Sequence, residues 1–151
     1  MHIYRLSLFL MLFFVLTGCD NANQKDQKAL LKTNCDTNQR CIYNTGVKVW
    51  LSDKNITPET HFSIYLDLPA HLKINNAKLE SITMYMGFIP QKFTKEATIY
   101  KSDTKEATIY KSDTMVGICS EKNMLWQLVL NLSNVQTGEQ ITHFYNFYVT
   151  Y

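Results

Sequence analysis

Phe62-Ser63-Ile64-Tyr65-Leu66-Asp67-Leu68 and Trp126-Gln127-Leu128-Val129-Leu130-Asn131-Leu132 decide the fold. In each stretch every second residue is large and apolar, and the residues between are a mixed set. Side chains alternate faces along a strand, so a period of two gathers the apolar set on one side. A helix would need the apolar positions three and four apart, and no segment of this chain shows that spacing convincingly.

The same alternation recurs around these two. Val47, Val49 and Leu51 alternate with Lys48, Trp50 and Ser52, and Ile82, Met84 and Met86 alternate with Ser81, Thr83 and Tyr85. The end of the chain, His143 to Tyr151, is aromatic and β-branched and reads as a last strand. Turn signals lie between: Asp53-Lys54-Asn55, Pro69-Ala70, Asn75-Asn76, Gly87 with Pro90, Ser120 to Asn123, and Thr137-Gly138. Nine Tyr and eight Phe against five Gly and three Pro fit a strand-rich chain. Short strands at turn-punctuated spacing suggest a sandwich or a barrel. The expectation is an all-β domain, an antiparallel immunoglobulin-like sandwich over residues 34–151.

Ahead of that domain stands a different kind of segment. Arg5 precedes an apolar run from Leu6 to Leu16, broken only by Ser7 and ending in Leu16-Thr17-Gly18-Cys19. A positive start, a short apolar centre and small residues before the cut describe a secretory signal peptide. The cysteine directly after Leu-Thr-Gly makes it a bacterial lipoprotein signal. The run falls short of the roughly 20 apolar residues a spanning helix needs. Residues 1–18 are expected to be removed, leaving Cys19 diacylated on sulfur and acylated on its amine; two or more chains anchor a protein stably. Residues 19–33 are polar apart from Ala29-Leu30-Leu31 and read as the lipidated end and a flexible tether. Asp20 resembles the inner-membrane retention signal of enteric lipoproteins. The expected address is the envelope, facing the periplasm, with the inner membrane favoured over the outer.

Composition excludes some functions. The net charge is +2, and Arg5 is the one charged side chain lost with the signal. A nearly neutral domain without a basic stripe gives no case for nucleic acid. There is no Gly-x-Ser-x-Gly elbow, no His-Glu-x-x-His helix and no phosphate-binding glycine loop. His61 and His71 flank a strand and read as surface or satisfied residues. The acids are scattered, so no enzymatic activity is expected.

An export route leads to an oxidising compartment. With Cys19 lipidated, Cys35, Cys41 and Cys119 remain. Cys35 and Cys41 can close a small loop and leave Cys119 over, or Cys119 can pair with either of them; sequence does not fix the connectivity. Met84 and Met86, two apart in an expected strand, share a face, and Cys119 and Met124 flank the turn Ser120 to Asn123. Thiolate and thioether together favour Cu(I). The competing reading is that these methionines fill the core. Trp50 and Tyr65 lie on the polar phase of their strands, as an outward contact pair or as the inner face of a second layer.

One feature is a copying event. Lys95 to Thr104 reads KEATIYKSDT, and Lys105 to Thr114 reads the same ten residues. Two copies make no solenoid. A ten-residue strand spans roughly 33 Å, too long for a doubled strand in a small domain. The second copy is therefore expected to form an extra hairpin arm or a long loop, and to be dispensable for folding.

Ile82-Thr83-Met84-Tyr85-Met86-Gly87-Phe88-Ile89-Pro90, Gly117-Ile118-Cys119, Met124-Leu125-Trp126-Gln127-Leu128 and Phe147-Tyr148-Val149 together resemble the small exported YtkA-like or FixH-like domains. The resemblance covers about residues 82–151. It implies an immunoglobulin-like sandwich outside the cytoplasmic membrane and, for some members, copper handling or cytochrome oxidase assembly. This chain departs from that pattern in Cys119, in the duplication, and in having no His beside the methionines. The functional expectation is a lipid-anchored accessory that binds or delivers Cu(I) through Met84, Met86, Cys119 and Met124. The alternative is a metal-free interaction module, either an envelope-complex subunit or an inhibitor of a wall-degrading enzyme.

Overall fold

The computed structural model describes residues 35–101 and 104–151. The expected signal peptide, Cys19 and the tether lie outside them. Every regular element among the described residues is a strand: β1 (Cys41–Ile42), β2 (Lys48–Leu51), β3 (Phe62–Pro69), β4 (Leu72–Ser81), β5 (Phe88–Pro90), β6 (Thr94–Lys101), β7 (Thr104–Thr114), β8 (Asn123–Asn134) and β9 (Gln140–Thr150). No helix among these residues is long and apolar enough to cross a membrane.

Two antiparallel sheets result, ordered β1-β2-β3-β7-β6 and β5-β4-β8-β9. With β2 as strand A, these are the A-B-E-D and C′-C-F-G sheets of the immunoglobulin sandwich. The turn at Pro69-Ala70-His71 carries the chain from one sheet to the other. It is fastened on both sides, by Ala70 N–H to the Glu106 carbonyl at 3.0 Å and by Val135 N–H to the His71 carbonyl at 2.9 Å.

The alternating residues meet between the sheets. Ile64, Leu66 and Leu68 of β3 face Trp126, Leu128, Leu130 and Leu132 of β8, and all are buried. Val47 and Val49 join the core from the β2 side, where the segments flanking β2 meet β9, and Tyr145, Phe147 and Val149 of β9 complete it there. Among the described residues the buried hydrophobic cluster runs from Cys41 to Val149. A disulfide joins Cys35 to Cys41, with Cα atoms 5.4 Å apart, and pins the start of the domain to that core.

The long outer edge of β9 is covered. Asn38, in a left-handed conformation (φ 58°), presents its side-chain amide to Tyr148 as a neighbouring strand would. Its Oδ1 accepts from Tyr148 N–H at 2.6 Å, and its Nδ2 donates to the Tyr148 carbonyl at 3.0 Å. Ile56 forms a parallel bridge to Val149, and the Tyr43 hydroxyl donates to the Phe144 carbonyl at 2.8 Å. Unpaired edge groups invite association, and these contacts remove them.

Three local expectations are corrected. Asn75-Asn76 is no turn: β4 runs through it with a register shift between Ile74 and Asn76, a bulge inside one long strand. Ile82–Met86 is no strand but the loop after β4, since β4 ends at Ser81. The duplicated unit is no loop, and its second copy is no added arm: the two copies pair as a hairpin built into the sheet. The second copy makes β7, between β3 and β6, and pairs with β3 from Phe62↔Thr114 to Pro69↔Ala107. The first copy supplies most of β6.

Candidate functional site

The sulfur-bearing residues sit at one end of the sandwich, on two loops. The first joins β4 to β5 over residues 82–87. Its last residue, Gly87, has a φ of 74°, a left-handed value that side chains other than glycine adopt at a cost. That turn brings β5 back onto β4, with Glu80↔Phe88, Leu79↔Ile89 and Lys78↔Pro90 in register. The second segment leads from β7 to β8. Val116, fully buried, anchors it, and Glu59 N–H donates to the Val116 carbonyl at 2.8 Å.

Between these anchors Cys119 comes against Met84. The thiol donates to the thioether, Sγ to Sδ, at 3.0 Å. Ser120 Oγ lies 3.9 Å from the same sulfur. Met86 reaches over Gly117: a Cβ built on that glycine would lie 3.9 Å from the Met86 methyl. Met84 and Met86 are 37% and 38% exposed and Cys119 is half-buried, so all three residues reach the surface. The hydroxyl of Tyr151, the last residue, donates to the Cys119 carbonyl at 2.7 Å and fixes the backbone carrying the thiol. Nothing in the sequence pointed to Tyr151, because its role depends on where β9 ends.

Met124 is a correction. It is 0% exposed, on the inward face of β8 with Trp126, and belongs to the core. Cys119 and Met124 do flank a turn, but β8 begins at Asn123, and its alternation sends Met124 inward. The sequence reading of shared faces for Met84 and Met86 rested on a strand that is absent; the loop brings them to the same end of the molecule by another route.

The three remaining residues suit one chemistry. Soft sulfur ligands select Cu(I), whereas imidazole and carboxylate suit harder ions. Among the described residues no group of three or more His, Cys, Asp and Glu is placed to hold a metal. Any ion held here would therefore depend on thioethers. Two sulfurs each about 2.3 Å from a metal at a tetrahedral angle stand about 3.8 Å apart, so Cys119 and Met84 need to separate by less than about 1 Å. Both side chains are on surface loops, where that movement is cheap.

The same two segments and the start of β5 carry exposed apolar side chains: Tyr85 at 92%, Phe88 at 62% and Ile118 at 55% exposure. Lys78 ties Phe88 to β4, its ammonium 5.7 Å from the ring centroid and 2.7 Å from Glu80.

The other residues singled out in the sequence have structural roles. Trp50 and Tyr65, opposite each other in register, stack on the outer face of their sheet with centroids 5.4 Å apart and planes 9° apart. Arg40 covers the free face of Trp50 at 4.4 Å. The Trp50 ring is thus in contact with both Tyr65 and Arg40. His61 and His71 are exposed. His143 is buried, stacked on Tyr43 at 4.1 Å and hydrogen-bonded through Nε2 to Thr45 Oγ1 at 2.8 Å. Burial holds its pKa below the usual histidine value, so it stays neutral.

No family model matches the chain, and the comparisons with curated proteins and with solved structures also found no match.

Proposed function

We propose that this chain is a lipid-anchored envelope protein whose immunoglobulin-like domain binds Cu(I) through Cys119 and Met84, with Met86 as a third sulfur, and passes it on by ligand exchange. The observation that carries the reading is the Cys119 thiol, 3.0 Å from the Met84 thioether on an exposed loop end. Two facts support it. The Cys35–Cys41 disulfide leaves Cys119 as a free thiol, although export would expose it to oxidants. Soft ligands at the surface can meet an incoming partner's ligands, as exchange requires. The lipoprotein signal and the resemblance to YtkA-like or FixH-like domains fit the same reading. No catalytic constellation enters it.

A metal-free interaction module is the second reading, favoured by Tyr85, Phe88 and Ile118 standing exposed on and next to the same loops. Anaerobic Cu(I) titration of residues 20–151 against a competing chelator separates the two. One tightly held equivalent, lost in Cys119→Ser and weakened in Met84→Leu, is the expected result. No competition with the chelator by the intact chain contradicts the metal reading and leaves the interaction module.

A further inference from the structure

The two identical copies pair with each other, and the register of that pairing is symmetric. Thr98 faces Thr108, the same position of the unit in each copy. On either side Ala97 faces Ile109 and Ile99 faces Ala107; further out Lys95 faces Tyr110 and Tyr100 faces Lys105. The register shifts once on each side, passing over Glu96 in β6 and Glu106 in β7. The hairpin therefore has a local two-fold axis between Thr98 and Thr108, and every pair on one side is repeated on the other.

That axis relates the outer edges as well. The edge of β7 turned away from β6 carries β3, paired over eight residues. The corresponding edge of β6 carries no strand among the described residues, because the sheet ends there. Identical residues that hold a neighbour in one copy thus stand open in the other. Among the described residues β6 is also the long edge with nothing over it: β9 is shielded by Asn38, Ile56 and Tyr43, while β1 and β5 have two and three residues. Ala97 and Ile99 are exposed beside it, Ile99 at 41%. They lie on the sheet's outer face, opposite Ile109 and Ala107 of β7.

From this we infer that the open edge of β6 receives β6 of a second copy of this chain, antiparallel, joining two five-stranded sheets into one. A second copy fits because a two-fold contact requires a self-complementary strand, and this unit already pairs antiparallel with its own sequence. The joint would set Ala97 and Ile99 of the two copies side by side, where cross-strand apolar pairs stabilise a sheet. An edge-only contact is small, so the dimer is weak and concentration-dependent.

The test is sedimentation equilibrium of residues 20–151, which hold the whole of the described core, carrying Cys119→Ser to exclude thiol cross-linking. A monomer–dimer equilibrium is expected, with association weakened about tenfold or more by Ile99→Lys, since a lysine at an edge opposes strand addition. Unchanged thermal unfolding of the variant monomer shows that the fold is intact; if Ile99→Lys does not fold, Ala97→Lys decides. A chain monomeric at all concentrations, a dimer indifferent to the folded lysine variant, or open-ended growth beyond dimers overturns the inference.

Discussion

Deleting Lys105 to Thr114 asks whether the domain needs both copies. Because the copies are identical, removing either gives the same chain. The hairpin enters beside Lys111, at Thr94, and leaves at Thr114, opposite Phe62. Entry and exit are therefore at the same end of the sheet, and one strand cannot return the chain to the end it started from. Suppose the remaining copy keeps the place of β7, joined to buried Val116. Its first residue then lies at the far end, beyond Ala107, which pairs with Pro69. Gln91 stays near the entry: its Nε2 donates to Thr114 Oγ1 at 3.1 Å, and its Oε1 accepts from Ser112 Oγ at 3.0 Å. From Ser112 to the position of Lys105 is about 23 Å of strand. The four steps left after Gln91 reach at most about 14 Å. The shortfall of about 9 Å is met only if Gln91 and β5 let go. That loses the β4–β5 pairing, the two Gln91 side-chain bonds and its N–H bond to the Ala77 carbonyl, and uncovers Ile89 and Phe93, which pack on the core. At about 1 kcal/mol for each hydrogen bond and roughly 1 kcal/mol for each partly buried side chain, the three Gln91 bonds and the two side chains alone come to about 5 kcal/mol, and the β4–β5 ladder adds to that. Small domains have about 5–15 kcal/mol in total. Urea unfolding followed by tryptophan fluorescence and circular dichroism measures it. The deletion chain is expected to be unfolded or destabilised on that scale. An unfolding free energy within about 0.5 kcal/mol of the intact chain refutes the argument, and the second copy is then dispensable after all.

Three further outcomes follow from the packing. Met124→Ala empties a fully buried site and is expected to cost about 2–5 kcal/mol in denaturant unfolding, while Cu(I) stoichiometry stays at one; a lost equivalent in a folded variant returns Met124 to the ligand set. Asn38→Ala removes both bonds to the Tyr148 backbone and is expected to cost about 1–2 kcal/mol, with faster hydrogen exchange at Tyr148 N–H; unchanged exchange there contradicts the shielding role. His143 has a folded-state pKa below its unfolded value of 6.5, so the unfolded chain takes up the proton first as pH falls. Stability is thus full above about pH 6.5 and declines below it. His143→Gln should flatten that part of the curve, and a variant with the same pH dependence as the parent assigns the decline to other groups.

The strands with a regular apolar period were legible. β3 and β8 carry large apolar residues at every second position and all of these are buried, although in β8 Leu125, Gln127 and Val129 on the other face are buried as well. β4 was misread because its inward residues, Leu72, Ile74, Ala77 and Leu79, change phase at the bulge, so no period of two runs through the whole strand. Asn75 and Asn76 looked like a turn for the same reason. The Ile82–Met86 alternation is real in the sequence but lies past the end of β4, where Ile82 N–H still donates to the Leu125 carbonyl of β8 but no regular strand forms among the described residues. β7 was misjudged because its inward side is polar: Thr108, Ser112 and Thr114 are buried there, with Ile109 on the outer face. All four sulfur residues were chosen on residue type; three lie at one end of the sandwich, and two of those touch. The fourth, Met124, turned on where β8 starts. What placed Cys119 beside Met84 was the return of two loops to one end of the sandwich, which no local pattern encodes.

The most direct test of the sulfur site is copper K-edge X-ray absorption on the Cu(I)-loaded chain. A first shell of sulfur alone, with one sulfur fewer in Met84→Leu, is what the account predicts. A shell dominated by nitrogen or oxygen, or one unchanged by both Cys119→Ser and Met84→Leu, contradicts it.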